Sequence, residues 1–359
     1  MPHPEKAQPA APSRFRWRRL VQYRLRTLLI VMTILAAGLG WWSHKARQQR
    51  VAVEVIRSAG GLIIYDFEKR NLQRPSYWPA GLVDALGVDF FADVHVVDLQ
   101  YDHSGPRYMG LNRWQSNTGT DAQMAHIGRL SKLRILRLGG ATTDAGSSNI
   151  RGLTALEQLD LGSTRVTDAG LEHLEGLMAL RRLSLDAVHL TDSGLKHLSR
   201  FSRLEQLNIS RTRVTNAGLE HLAGMTALKS LSLRELPVTD SGLEKIKGLK
   251  SLEGLDLAQT RITDAGLEHL RAFTALIRLD LYGTQVTDAG LRHLRGLTSL
   301  QSLQLSDTQV TDAGLEHLRD LTALRKIDAV NTKITNAGVS RLKQALPNCE
   351  IETQPVYLE

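Results

Sequence analysis

LTALEQLDLGSTRVTDAGLEHLEG, Leu153–Gly176, is followed by seven more blocks of equal length in unbroken register, beginning at Leu177, Phe201, Met225, Leu249, Phe273, Leu297 and Leu321. A fixed 24-residue period points to stacked supersecondary units and away from a globular enzyme core. One such unit cannot bury its own apolar face, so its neighbours cover it and the product is a long open surface suited to binding. Gln158-Leu159-Asp160-Leu161-Gly162 alternates apolar and polar residues, the two-residue period of a half-buried strand. Thr167-Asp168-Ala169-Gly170 then opens a short helix, with Thr167 as N-cap and Asp168 where the helix dipole favours negative charge. Leu171 and Leu174, three apart, share its inward face. Each unit is therefore strand, bend, short helix and return, and successive strands run parallel.

Thr164 recurs as Thr212, Thr260, Thr284, Thr308 and Thr332 between strand and helix, and at strand spacing these hydroxyls are expected to bond neighbouring backbone as a ladder. Val188 and Leu236 interrupt the row 48 residues apart. Blocks 153, 201 and 249 share LExL and TR(V/I)T, while blocks 177 and 225 share TDSG, so a two-repeat unit has been duplicated.

The spacing LxxLxxLxLxxTx(V/I)TDAGLxxL resembles the leucine-rich-repeat family, in a bacterial-type form with an N-terminal membrane anchor. Within the family it is most similar to the cysteine-containing subtype, with Thr where that subtype carries Cys or Asn at the ladder position. The resemblance runs from Ile127 to about Ile351, over sixty per cent of the chain. It implies an α/β fold, a right-handed curved solenoid with parallel strands on the concave face and short helices on the convex face. The subtype also occurs in ubiquitin-ligase adaptors, but nothing here resembles their helical adaptor-binding segment.

The net charge of +8 would suit a nucleic-acid partner, but the position of the charge argues against one. Residues 1–50 hold ten Lys or Arg and one acid, whereas the other 309 residues hold 35 basic and 36 acidic groups. The basic residues flank an apolar run, Thr27–Trp42, long enough for roughly 24 Å of helix. That is slightly short for a hydrocarbon core of about 30 Å, but Arg26 and Lys45 can snorkel, and Trp41 and Trp42 suit an interfacial belt. Six arginines (Arg14, Arg16, Arg18, Arg19, Arg24, Arg26) precede the run and three basic residues closely follow it, which places the N-terminus in the cytoplasm and the repeats outside. The competing reading is a cleaved secretory signal, since Ala36-Ala37-Gly38 offers small residues. The expected organisation is a cytoplasmic tail (1–26), an inner-membrane signal anchor (27–43), a linker and N-terminal cap (44–92), a solenoid of about ten repeats (93–346) and a C-terminal cap (347–359). The single cysteine, Cys349, forbids an intramolecular disulfide and reads as a small buried hydrophobe in that last cap.

Before the array, Val51–Ala59 has helical spacing, Leu62–Phe67 reads as a strand, Ala80–Leu86 as a further helix, and Val94–Leu99 as the first solenoid strand. The next TDA helix start, Thr120-Asp121-Ala122, comes about fifteen residues late, so residues 101–119 are an insertion into a degenerate repeat. It gathers Tyr101, Tyr108 and Trp114 beside Arg107 and Arg113 in a chain whose aromatic fraction is only 5%. These residue types dominate binding hot spots, and insertions into repeats tend to lie on a working face. The bland alternative is that the rings plug the cap. On the repeats, Arg278, Asp280 and Tyr282 share one strand, with Asp256 and Gln304 beside them, and form the one local cluster on a polar, mixed-sign concave face, a contact patch to be weighed against the plainer reading of a solvated face. A second row follows the helices: His173, His197, His221, Lys245, His269, His293, His317 and Arg341. Lys and Arg in that row suit a solvated face, not a metal site.

No phosphate loop, zinc-protease helix or nucleophile elbow occurs, and the Asp-Ala-Gly tripeptides are helix starts by position. The sequence therefore predicts a non-catalytic, membrane-anchored module that binds a protein, or a glycan, without cofactor, metal, nucleic acid or small-molecule substrate. A secreted module after signal cleavage and an intracellular adaptor or scaffold are the alternatives.

Overall fold

A computed structural model describes residues 14–65, 92–100 and 120–353, with side chains from residue 27 onward. The 101–119 insertion, with Tyr101, Arg107, Tyr108, Arg113 and Trp114, lies outside the described residues, as does the expected 80–86 helix.

The described chain is an α/β solenoid built on one twelve-stranded sheet in sequence order. Its first two strands, β1 (Leu62–Tyr65) and β2 (Val94–Asp98), pair antiparallel. Every later pairing is parallel, from β2 with β3 (Ile135–Arg137) to Lys326–Asp328 with β12 (Glu350–Glu352). Across the 24-residue repeats the register is constant, as in Leu159 opposite Leu183 and Leu183 opposite Leu207. Strands are three residues long in each repeat, and their polar ends face the concave side while the central leucine is buried. Leu153, Leu156, Leu159, Leu161, Val166, Leu171 and Leu174 are all at most 2% exposed, and their counterparts continue as one core through the array. That continuity explains why no single repeat is stable alone.

Two features hold consecutive turns in register. One is a left-handed residue after each strand: Ser163, Ala187, Arg211, Glu235, Gln259, Gly283, Asp307 and Asn331 all have φ between 55° and 64°. Only Gly283 escapes the steric penalty, roughly 1 kcal/mol for each of the others. The conformation aims the backbone N–H at the next turn: Ser163 donates to Asp186 O at 2.7 Å and Gln259 to Tyr282 O at 2.7 Å.

The second feature is a carboxylate clamp. Asp168 accepts the Thr191 N–H at 2.8 Å on one oxygen and the Thr191 hydroxyl at 2.5 Å on the other. Asp264 does the same for Thr287 at 2.8 and 2.6 Å, and Asp288 for Thr311 at 2.7 and 2.7 Å. Asp121, Asp144, Asp192, Asp240 and Asp312 repeat it. The clamped Thr in turn caps its own helix, as Thr287 Oγ1 accepts from Ala289 N. The Asp therefore serves the neighbouring repeat as well as its own helix dipole. The glycine of each TDAG is explained too, because a Cβ at Gly170, Gly194 or Gly290 would overlap Oδ1 of the preceding repeat's Asp.

The threonine row behaves differently from the expectation. Thr164 Oγ1 donates to Leu161 O at 2.7 Å and Thr308 Oγ1 to Leu305 O at 2.6 Å, so each buried hydroxyl closes its own turn. The left-handed residues and the Asp clamp connect the repeats, which leaves the threonines nothing to bridge.

At the N-terminal end a single helix, α1 (Arg14–Ser58), passes unbroken through residues 43 and 44, where composition suggested a boundary. No proline or glycine interrupts residues 41–58, so nothing stops the helix. Its first described side chains are exposed, from Leu28 at 56% to Trp41 at 70%. Its last turns are not: Ala46, Gln49, Ala52, Val53 and Ile56 are buried on the end of the solenoid core. Gln49 Nε2 donates to Ala92 O at 2.5 Å, and Lys45 pairs with Asp93 at 2.9 Å. At the opposite end Cys349 is buried, and burial raises its thiol pKa.

Candidate binding face

Each strand presents its first and third residues on the concave side, followed by the residue two further on. Three columns of side chains result, spaced by the strand separation of roughly 4.8 Å. In the N-terminal half a shallow cleft of about 370 Å³ runs over five strands, lined by Gln158, Asp160, Arg182, Ser184, Gln206 and Asn208 among others. Along its edge the residue before each strand alternates in sign. Arg134 pairs with Glu157 at 3.1 Å, and Glu205 pairs with both Arg181 and Lys229, the latter at 3.4 Å. The Arg181 hydrogen bond, then Lys229, hold the Glu205 carboxyl below its ordinary range. Arg182, inside the cleft, has no ion pair or side-chain hydrogen bond among the described residues.

The C-terminal half holds the predicted cluster. Asp280 lies in register between Asp256 and Gln304, as the sequence indicated. Burial raises the Asp280 pKa, opposed by the Tyr282 N–H, which donates at 2.9 Å. Tyr282 engages the Asp307 carboxylate, which raises the phenol pKa. Arg234, from two repeats earlier, lies 3.9 Å from Asp280 and 5.7 Å from the centre of the Tyr282 ring. Arg278 stands apart from this network, and its guanidinium lies near Gly254, where a Cβ would meet it at 3.9 Å. The structure thus brings together Asp280 and Tyr282 and adds Arg234 and Asp307, which sequence reasoning missed. Arg234 was legible as a member of Tyr282's column, but its reach past the small Ala258 between them shows only on the folded surface.

Histidines of the convex row find partners other than one another. His197 Nδ1 lies 2.7 Å from Glu175, and His317 Nδ1 lies 2.7 Å from the Arg295 guanidinium. His293 is buried, and its pKa is lowered by that burial and by Arg271 and Arg292. Among the described residues no group of three or more His, Cys, Asp or Glu is placed to hold a metal. Gln100, the last described residue before the insertion, lines a small cleft of about 220 Å³ with Asp160, Ser184, Asp186 and Arg211 at the concave rim.

A family model described as a leucine-rich repeat matches residues 152–174 and 296–318, two segments set 144 residues apart in the same phase of the repeat. The fold is a leucine-rich-repeat solenoid. No curated protein matches the chain in sequence. Among solved structures, the chain is similar to two internalins of Listeria monocytogenes strain 4b F2365. The internalin designated inlF is 19% identical with a TM-score of 0.38, covering 68% of this chain and 91% of its own. Internalin C2 is 24% identical with a TM-score of 0.40, covering 67% and 85%. A PEPR1–AtPEP1 structure matches at 17% identity and a TM-score of 0.43, covering 73% of this chain and 35% of that one.

Proposed function

We propose that this leucine-rich-repeat solenoid is a non-catalytic recognition module, anchored in the membrane by α1 and binding a protein partner on its concave face. The observation that carries this reading is the contrast in side-chain variety. Concave positions differ from repeat to repeat, as in Gln158, Arg182, Gln206, Ser230, Gly254 and Arg278, on a backbone whose register never changes. A polar, mixed-sign face with one aromatic anchor, Tyr282, suits a protein surface better than a neutral sugar, which stacks on aromatic rings.

Support for anchoring comes from the run Leu28–Trp42, apolar and exposed on a helix long enough to cross a bilayer. Because α1 continues into the N-terminal cap, the span and the solenoid form one mechanical unit, with no linker between them. The tail arginines put the solenoid outside the cytoplasm. Gln100, the last described residue before the insertion, stands at the concave rim, and the sequence makes Tyr108 and Trp114 candidate contacts of the same partner.

Crosslinking capture with the full chain tests the binding reading. Tyr108→Ala with Trp114→Ala is expected to abolish capture with an unchanged melting curve, and unchanged capture removes the insertion from the site. For anchoring, N-terminal sequencing of the membrane fraction should return residues ahead of Arg14. A mature chain beginning near Gly38 would replace the anchor with a cleaved signal.

A further inference from the structure

The convex side of the solenoid is electrically divided, although the chain beyond residue 50 is almost neutral. In the helical segments 148–154, 172–178, 196–202 and 220–226, three basic residues face three acids. In the equivalent segments 244–250, 268–274, 292–298, 316–322 and 340–346, nine Lys or Arg face four acids. The excess is organised. One helix position carries Lys247, Arg271, Arg295, Arg319 and Lys343 on five consecutive repeats, and all five are exposed. In the preceding repeats the same position holds Arg151, Glu175, Ser199 and Ala223, so the unbroken run of cations begins at Lys247.

We propose that this stripe is a second binding surface, separate from the concave face, and that its ligand is a linear anionic polysaccharide. Three of the cations have an acid three residues earlier, Glu244, Glu268 and Glu316, at 3.6, 3.9 and 3.2 Å. Such exposed pairs contribute little and open readily to a better anion. At the middle repeat the acid is replaced by Arg292, so Arg292 and Arg295 concentrate charge at the centre of the row. The depressed pKa of His293 between them, set by burial and then by Arg271 and Arg292, is consistent with that positive potential.

The form of the stripe selects the ligand. It is one cation wide and five repeats long on a convex surface. A flat bilayer would touch such a surface at only one or two repeats, whereas a flexible chain can follow the curve. Thr274, Thr298 and Thr322 are exposed beside the row and offer hydroxyls, and no exposed aromatic ring lies along it to stack a base. A polymer with regularly spaced sulfate, phosphate or carboxylate groups fits this arrangement.

The test uses the full chain in neutral detergent, with Arg14, Arg16, Arg18, Arg19, Arg24 and Arg26 changed to Gln so that the tail does not compete. Heparin is the probe, titrated across a salt series. Arg271→Gln, Arg292→Gln, Arg295→Gln and Arg319→Gln together are expected to weaken binding at least tenfold and to flatten the salt dependence by about 2–3 in log–log slope. A control with the same charge change at Arg165, Arg203, Arg213 and Arg261 should bind like the parent. Equal loss in both variants, or loss in neither, overturns the proposal, as does equally tight, stripe-dependent binding of duplex DNA or phosphatidylglycerol vesicles. If the stripe variant unfolds, acetylation of the parent protein decides. Heparin should protect Lys247 and Lys343 and leave Lys196 reactive, and uniform protection or none contradicts the assignment.

Discussion

The edge of the solenoid that carries the TDAG turns and the concave face that carries the strand ends obey opposite rules. On the edge, Thr, Asp and Gly recur because each touches the next turn: the Asp grips a Thr 23 residues on, and the Gly leaves room for the previous Asp. On the concave face, only the central leucine of each strand recurs, and its polar neighbours are free to differ. Internal repetition therefore marks what builds this molecule, and departure from repetition marks what it presents.

The sharpest way to break that contrast is at a glycine. Gly290→Ala should destabilise the solenoid by about 2–3 kcal/mol, because its Cβ would expel the Asp264 carboxylate from the clamp. Asp264→Ala alone should cost about 2 kcal/mol through the two lost hydrogen bonds to Thr287. Combined, the two should cost less than their sum by at least about 1 kcal/mol in urea melts, since the second change removes the clash made by the first. Additive costs would mean that the glycine is kept for another reason.

A natural exception sharpens the comparison. Asn216 replaces the clamp Asp, and its amide donates to the Thr239 hydroxyl at 2.8 Å where the other clamps accept. Thr239 then makes no capping hydrogen bond, and the helix after Asn216 is a 3-10 turn, Gly218–Leu222. Asn216→Asp should therefore stabilise by about 1 kcal/mol, read as a higher urea midpoint at constant slope. A loss of stability would contradict the clamp as described.

Acid probes the convex side. Burial and neighbouring arginines depress the His293 pKa, so the folded state prefers the neutral ring. Its contribution is complete above the ordinary histidine value of 6.5 and is lost as pH falls below it toward the folded value. His293→Gln should flatten the melting temperature between pH 7 and 5. Asp312, held below its ordinary 3.8 by hydrogen bonds from the Thr335 N–H and hydroxyl, should add a further loss only below that pH. The smallest effect belongs to the concave face itself. Arg234→Ala with Tyr282→Ala should change stability by no more than about 1 kcal/mol, because both side chains are only part-buried and no turn depends on them.

The strands, the helix starts and the seven buried positions of each repeat were legible because apolar periodicity reports burial directly. The clamp was not, since Asp168 already had a local reason as a helix-start acid and its partner lies in another repeat. Nor was the left-handed turn, because Ser163, Ala187, Arg211 and Glu235 lack the residue types that announce positive φ. The concave cluster was half-read: Asp280 ends the strand Arg278–Asp280 and Tyr282 follows two residues beyond it, not on the strand as expected, while Arg234 reaches them only across the folded surface. The convex stripe was hidden by net charge, since acids elsewhere on the array cancel it.

Site-specific photocrosslinking on the full chain in intact cells tests the central claim most directly. A crosslinker is placed in turn at Ser232 and Tyr282 on the concave face, and at Ala265 and Ala313 on the exposed clamp edge. A protein adduct at both concave positions and at neither edge position is the predicted result. Adducts confined to the edge would show that the repeated surface is the recognition surface, and would contradict the account.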